Sequence, residues 1–235
     1  MKMVKLVSFL LSFTLLYSQQ NESSLDVRIF RSINNNQTSL QKNIINITDR
    51  TLIPIAIATP LSIISYGLYE KNISTSNLGI EIASTQIIST IIRTVIKETV
   101  KRPRPFLTLE NVHVSNKESA TSYSFPSGHA MSAFALATSV SLNFPKKEIF
   151  IPMYLWASMV GYGRIYFGFH YPSDVLVGAV SGGLVGYSIH KFLQNEDYKI
   201  FKEKNNSSNL GNKIEIMLLP QIYSDYQGIN LNIKF

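Results

Sequence analysis

Arg164, His170 and Asp174 bring a guanidinium, an imidazole and a carboxylate together where one apolar run ends and the next begins. A carboxylate four positions after an imidazole can hold it in one tautomer and make it a better nucleophile. The neighbouring arginine offers a fork that matches phosphate oxygens. Taken alone, the trio could equally be a satisfied surface pair beside a cation. Two further clusters change its weight. Lys97 and Arg104 stand seven apart and share a helical face if the chain stays close after the helix ends; with Pro105 they read Lys-x6-Arg-Pro. The competing register on Arg102-Pro103 needs a basic residue at Val95 and is rejected. The third cluster is Pro126-Ser127-Gly128-His129. Ser127 can cap a helix, Gly128 lets an anion approach the backbone, and the first N–H groups favour negative charge. His129 then projects from the first turn, beside any anion bound there.

Two histidines and an aspartate could hold a metal. Three cations converging on the same place repel a divalent cation and attract phosphate or vanadate, so no metal and no other cofactor is expected. His113 and His190 have no comparable surroundings and read as structural or surface residues.

These clusters sit at the ends of apolar segments. Between residues 21 and 50, Leu25, Ile29 and Ile33, then Leu40, Ile44 and Ile47, recur at helical spacing. They predict two short amphipathic helices that cover a core or lie on a membrane surface. Thr51 to Tyr69 carries no charge and approaches the ~20 residues of a spanning helix. A helix over Leu78–Lys97 carries Gln86, Thr90, Arg93 and Lys97 on one face, a stripe suited to a polar interior. Pro103 and Pro105 end it. A polar loop over 106–125 leads to an apolar helix ending at Phe144, a basic turn at Lys146-Lys147, and an uncharged stretch, Ile149 to Gly163. The last helix, Asp174 to Leu193, places Gly178, Gly182 and Gly186 on one face for close helix packing. Residues 194–213 read as a polar linker. Alternation through Ile214, Ile216 and Leu218, then Ile229, Leu231 and Ile233, predicts a hairpin turned at Asp225–Gly228.

The whole reads as all-α: a helical bundle of about five core helices, short amphipathic helices before it and a β-hairpin-like tail after it. The division is 1–19 as a signal or anchor, with Lys2 and Lys5 before an apolar run, 20–193 as the helical domain, and 194–235 as linker and tail. The chain has 235 residues, 16% charged and 45% hydrophobic, no cysteine and a net charge of +7. Soluble domains average ~25% charged residues, so this chain is apolar. Its positive balance suits anionic partners. Nucleic acid is not expected, because the basic residues form no run interleaved with aromatics. Disulfides and thiolate metal sites are excluded. If the apolar runs span, all three clusters fall on the outer side and Lys146-Lys147 on the inner one, which satisfies the positive-inside rule.

The three motifs together resemble the type 2 phosphatidic acid phosphatase family, which also contains bacterial non-specific acid phosphatases and vanadium haloperoxidases. The resemblance implies a metal-independent phosphatase acting on phosphomonoesters or on lipid phosphate and pyrophosphate groups. It assigns His170 as the nucleophile that forms a phosphohistidine, oriented by Asp174, and His129 as the acid and then the base. Lys97, Arg104 and Arg164 hold the phosphoryl oxygens, with Ser127 and the Gly128 N–H as neutral donors. Gly163 departs from the family's usual serine, so one hydroxyl contact to phosphate is missing. The substrate implied is a phosphorylated small molecule or lipid, met at a cell-envelope membrane with the site outside, or in the periplasm. Vanadate-dependent halide oxidation remains an alternative within the same anion site. A non-catalytic envelope protein that binds anionic lipid headgroups is the alternative from another class, though binding alone needs only the cations.

Overall fold

The computed structural model describes residues 23–114 and 123–194, and the backbone of 215–222 and 227–234. The expected signal or anchor at 1–19 and most of the polar linker lie outside these residues, as does part of the 106–125 loop. The chain divides into two units, one ending at Phe192 and one beginning at Leu193. In the second, β1 (Glu215–Ile222) pairs antiparallel with β2 (Gln227–Lys234).

The first unit is helical. Ser24 accepts a hydrogen bond from the Val27 amide and starts α1 (Leu25–Asn34). Thr38 does the same for α2 (Ser39–Tyr69), and Asn72 for α3 (Ile73–Val100). Such caps satisfy first-turn donors that the helix itself cannot. Lys101, left-handed at φ 50°, closes α3. Then follow α4 (Pro105–Thr108), α5 (Gly128–Asn143), α6 (Lys147–Tyr166) and α7 (Pro172–Gln194). The bundle packs α2 on α3 and α6, and α5 on α3 and α6.

Two expectations about residues 21–50 change. The second short helix does not exist as a separate element: residues 40–47 run without a breaker into α2, through Pro54 and Pro60. Proline is tolerated inside apolar helices when neighbouring segments enclose the opened turn. In α1 the buried face is not the Leu25–Ile29–Ile33 one. Val27, Phe30 and Asn34 are buried together with Asp26, whereas Leu25 and Ile29 are exposed. On that side Val27 and Phe30 pack with Leu109, Ile165 and Tyr171, while Asp26 and Asn34 meet polar partners, Arg102 and the Tyr166 carbonyl among them.

The glycine row on α7 does what its spacing suggests. A Cβ at Gly182 would stand 2.1 Å from the Met131 carbonyl oxygen, and one at Gly178 would stand 2.5 Å from that of Ser127. Backbone therefore rides on backbone where α7 crosses α5.

Charged groups are buried beside the apolar core of this bundle, and much of its outer surface is apolar. Glu81, Arg164 and Asp174 are buried, while Ile53, Ile57, Ile87, Ile91, Leu155 and Leu176 are exposed. A water-soluble domain rarely shows that much apolar surface. Three described stretches are long and apolar enough to cross a bilayer: Ser39–Tyr69, Ile73–Thr108 and Pro172–Gln194. This is a membrane protein. The uncharged run Thr51–Tyr69 forms the later part of α2, and the polar-striped segment lies within α3, so both fall in stretches of that length.

Candidate active site

Chain direction collects the chemistry at one end of the bundle. Asp49 lies in the first half of α2 and Lys97 near the end of α3. His129 opens α5, Arg164 nears the end of α6, and Asp174 opens α7. The turn with Lys146 and Lys147 joins the far ends of α5 and α6.

His170 lies in the short connection between α6 and α7 and is 2% exposed. Its Nδ1 is 3.8 Å from Asp174 Oδ2, beyond hydrogen-bond length, and 3.4 Å from Ser124 Oγ. Ser124 donates to the same carboxylate oxygen, so the hydroxyl touches both members of the pair. With Nδ1 on the Asp174 side, Nε2 is the nitrogen left to react. Burial pushes His170 well below the usual imidazole value, to about 3; Asp174 acts against this fall, and Arg164 and Arg104 add to it. The ring is therefore neutral and its lone pair available at ordinary pH.

Asp174 is fully buried and held from three sides. Besides Ser124, the Tyr171 amide donates to Oδ2 at 2.9 Å, and Arg102 donates to Oδ1 at 2.7 Å. Arg102 also pairs with Asp26 of α1 at 2.8 Å, donates to Ser173 Oγ, and lies 4.0 Å over the Tyr171 ring. Asp26 in turn accepts from the Ser173 amide and hydroxyl. The arginine excluded from the Lys-x6-Arg-Pro register is thus not spare. It faces the carboxylate, whereas Arg104 lies over the Phe169 ring and within electrostatic range of Lys97.

Arg164 is 1% exposed and pairs with Asp49 at 2.9 Å. Phe169 packs between two of the cations, 4.3 Å from the Arg164 guanidinium and 5.9 Å from that of Arg104. An aromatic face lets like charges approach while each keeps a favourable neighbour. Lys97 donates to the Tyr123 carbonyl and lies within electrostatic range of Arg104, Arg164 and Asp174. His129 lies within the same range of Arg164, His170, Arg93 and Arg104. Ser127 caps α5 by accepting from the Ala130 amide, and its own amide donates to the Asp174 carbonyl. The α5 start is thereby pinned to the α7 start, and Gly128 lies beneath the Arg93 side chain.

All eight residues singled out by the motifs stand at this end. Sequence reasoning misses Asp26, Asp49, Ser124 and Phe169, which no spacing links to the motifs. Gly163 acquires a packing reason: a Cβ there would lie 2.7 Å from Ile45 of α2, so a side chain would point into that contact. His113 exchanges backbone hydrogen bonds with Asn34, and His190 pairs with the buried Glu81 at 3.0 Å.

A buried imidazole beside a carboxylate, with a second imidazole and three cations in electrostatic range, is an arrangement suited to an oxyanion such as phosphate. Residues 78–198 match the model of the PAP2 superfamily, and the chain belongs to that family. It is 38% identical over 76 residues to the lipid A 4'-phosphatase of Bacteroides thetaiotaomicron, covering 32% of this chain and 34% of that protein. It is 33% identical over 108 residues to the undecaprenyl-diphosphatase BcrC of Bacillus subtilis, covering 46% and 54%. The chain thus spans about a third to a half of the length of these relatives. The fold resembles a transmembrane PAP2-type phosphatidylglycerolphosphate phosphatase of Bacillus subtilis, with a TM-score of 0.66 and 24% identity, over 86% of this chain and 98% of that one.

Proposed function

We propose that this protein is a metal-independent phosphatase of the cell envelope that removes phosphate from lipid phosphate or pyrophosphate headgroups through a phosphohistidine. The observation that carries the reading is His170: buried, neutral, backed by Asp174, and facing the side where Arg104, Arg164 and His129 gather. Nε2 of His170 attacks phosphorus in line with the leaving oxygen. Lys97, Arg104 and Arg164 stabilise the charge that spreads over the equatorial oxygens, aided by the Ser127 hydroxyl and the Gly128 amide. His129 protonates the leaving oxygen and then takes a proton from the water that cleaves the phosphoenzyme.

The site end faces outward and the Lys146-Lys147 turn faces the cytoplasm, in keeping with the positive-inside rule. The segment before residue 20 directs export, the helical domain runs to about 193, and the tail is a hairpin beyond a polar linker. The test is phosphate release by the detergent-solubilised full chain, with EDTA present, from phosphatidic acid, undecaprenyl pyrophosphate and an aryl phosphate. His170→Ala should abolish release and leave no acid-labile phosphoenzyme after a rapid quench; retained turnover would refute the mechanism.

A further inference from the structure

Arg93 is a cation without a counter-charge in a place built to need one. It sits one turn before Lys97 on α3 and is half-buried. Among the described residues it makes no hydrogen bond or ion pair, whereas Arg102 and Arg164 are each matched by carboxylates. A partly desolvated guanidinium with nothing to offset its charge is costly unless an anion arrives. Its side chain lies against the open face of Gly128, where a Cβ would come within 2.6 Å of Nη1. It therefore reaches the amide end of α5, next to His129.

Arg93 also lines a cleft of about 260 Å³ together with His129, Gln86, Ser132, Ile53 and Ile57. Sites for drug-sized ligands hold ~300–1,000 Å³, so this one suits a headgroup and the start of a chain. Its walls differ in character. On one side Gln86 and Ser132 hydrogen-bond each other and Arg93 is free. On the other, Ile53 and Ile57 of α2 continue outward as exposed apolar surface. None of His170, Arg104 or Arg164 lines this cleft. It opens from the His129 side, which is the side of the departing group.

We propose that this cleft is the leaving-group subsite, that Arg93 binds a second phosphoryl group there, and that the preferred substrate is a lipid diphosphate. The inference rests on the phosphatase reading above and adds the substrate class. In the first step a bond forms between His170 Nε2 and the terminal phosphorus, while the bond from that phosphorus to the bridging oxygen breaks. The bridging oxygen keeps the electron pair, takes the proton from His129 and departs on a lipid monophosphate held by Arg93. Water then cleaves the phosphohistidine and returns a proton to His129, giving inorganic phosphate.

The experiment compares kcat/KM of the full chain, in detergent, on undecaprenyl pyrophosphate and on phosphatidic acid. In Arg93→Gln the ratio of the two should fall roughly 10- to 100-fold, the loss of one charge-assisted contact, and Arg93→Lys should restore most of it. An unchanged ratio, with both activities down equally, overturns the proposal and makes Arg93 a ligand of the transferred phosphate. Should the variants not fold, the wild-type protein still decides. Methylenediphosphonate should inhibit phosphatidic acid hydrolysis at least ~10-fold more strongly than methylphosphonate, and equal inhibition overturns the subsite. Wild-type protein that releases phosphate from neither lipid overturns the phosphatase reading, and this one with it.

Discussion

Arg102→Met offers the sharpest test of how His170, the proposed nucleophile, is held. Arg102 joins two buried carboxylates: Asp174, beside His170, at 2.7 Å and Asp26 of α1 at 2.8 Å. Removing one partner of a buried ion pair costs about 3–5 kcal/mol, because the other charge stays behind unpaired. Both acids keep other donors here, the Ser173 amide and hydroxyl for Asp26 and the Tyr171 amide and Ser124 for Asp174. The lower end, about 3 kcal/mol, is therefore expected. For a chain of this size that corresponds to a fall in Tm of roughly 6–12 °C. Activity should change in a distinct way. Arg102 bonds the carboxylate rather than the anion side, so KM should hold while kcat falls. A misplacement of about 1 Å at a reacting group costs up to ~100-fold, and a loss of 10- to 100-fold in kcat is the expected range. Thermal unfolding in detergent and steady-state phosphate release provide the two numbers. A variant that melts within about 2 °C of wild type and keeps its kcat would show that Asp174 is positioned by other means. A rise in KM at constant kcat would place Arg102 on the phosphate instead, against the geometry.

Two other perturbations probe separate parts of the structure. The imidazole of His170 has a folded value of about 3 against an ordinary 6.5. Its neutral form thus contributes stability above pH 6.5 that is lost as pH falls toward 3. Tm should drop across that window, and the drop should be smaller in His170→Asn; an identical acid profile in both would refute this. Gly182→Ala adds a methyl group within 2.1 Å of the Met131 carbonyl oxygen, and forcing α7 off α5 should cost about 1–3 kcal/mol. A lower Tm with near-normal activity of the folded fraction is expected, and an unchanged Tm would mean that the helices part freely.

The parts of this site that could be read from the chain are those whose chemistry is local. Ser127, Gly128 and His129 are neighbours; Lys97 and Arg104 share a helix end; Arg164, His170 and Asp174 flank one connection. Their partners are remote. Asp26 meets Arg102 across 76 residues, Asp49 meets Arg164 across 115, and Ser124 meets Asp174 across 50. No period or motif marks a single acid on a polar, asparagine-rich segment as the counter-ion of a distant arginine. The face of α1 is misread for the same reason. Hydropathy weighs Leu25 and Ile29 as core, but the face that turns in carries Val27 and Phe30, which join the apolar core, and Asp26 and Asn34, which meet distant polar partners. Helix lengths are legible where charge is absent for long runs, as from Thr51 to Tyr69, and the merger of residues 40–47 into α2 is hidden by Asp49 and Arg50, which interrupt the apolar pattern without ending the helix.

Residues 78–198 bear the family match, yet Asp26 and Asp49 lie ahead of it. Arg102 and Arg164 are thus balanced in part by acids that the matched portion does not carry. Cut at the family boundary, Arg102 and Arg164 would each lose a counter-ion even though every motif residue was kept. Exchanging the leading helices between relatives amounts to moving one half of two ion pairs, and a chimera is sound only where the donor supplies acids at both places.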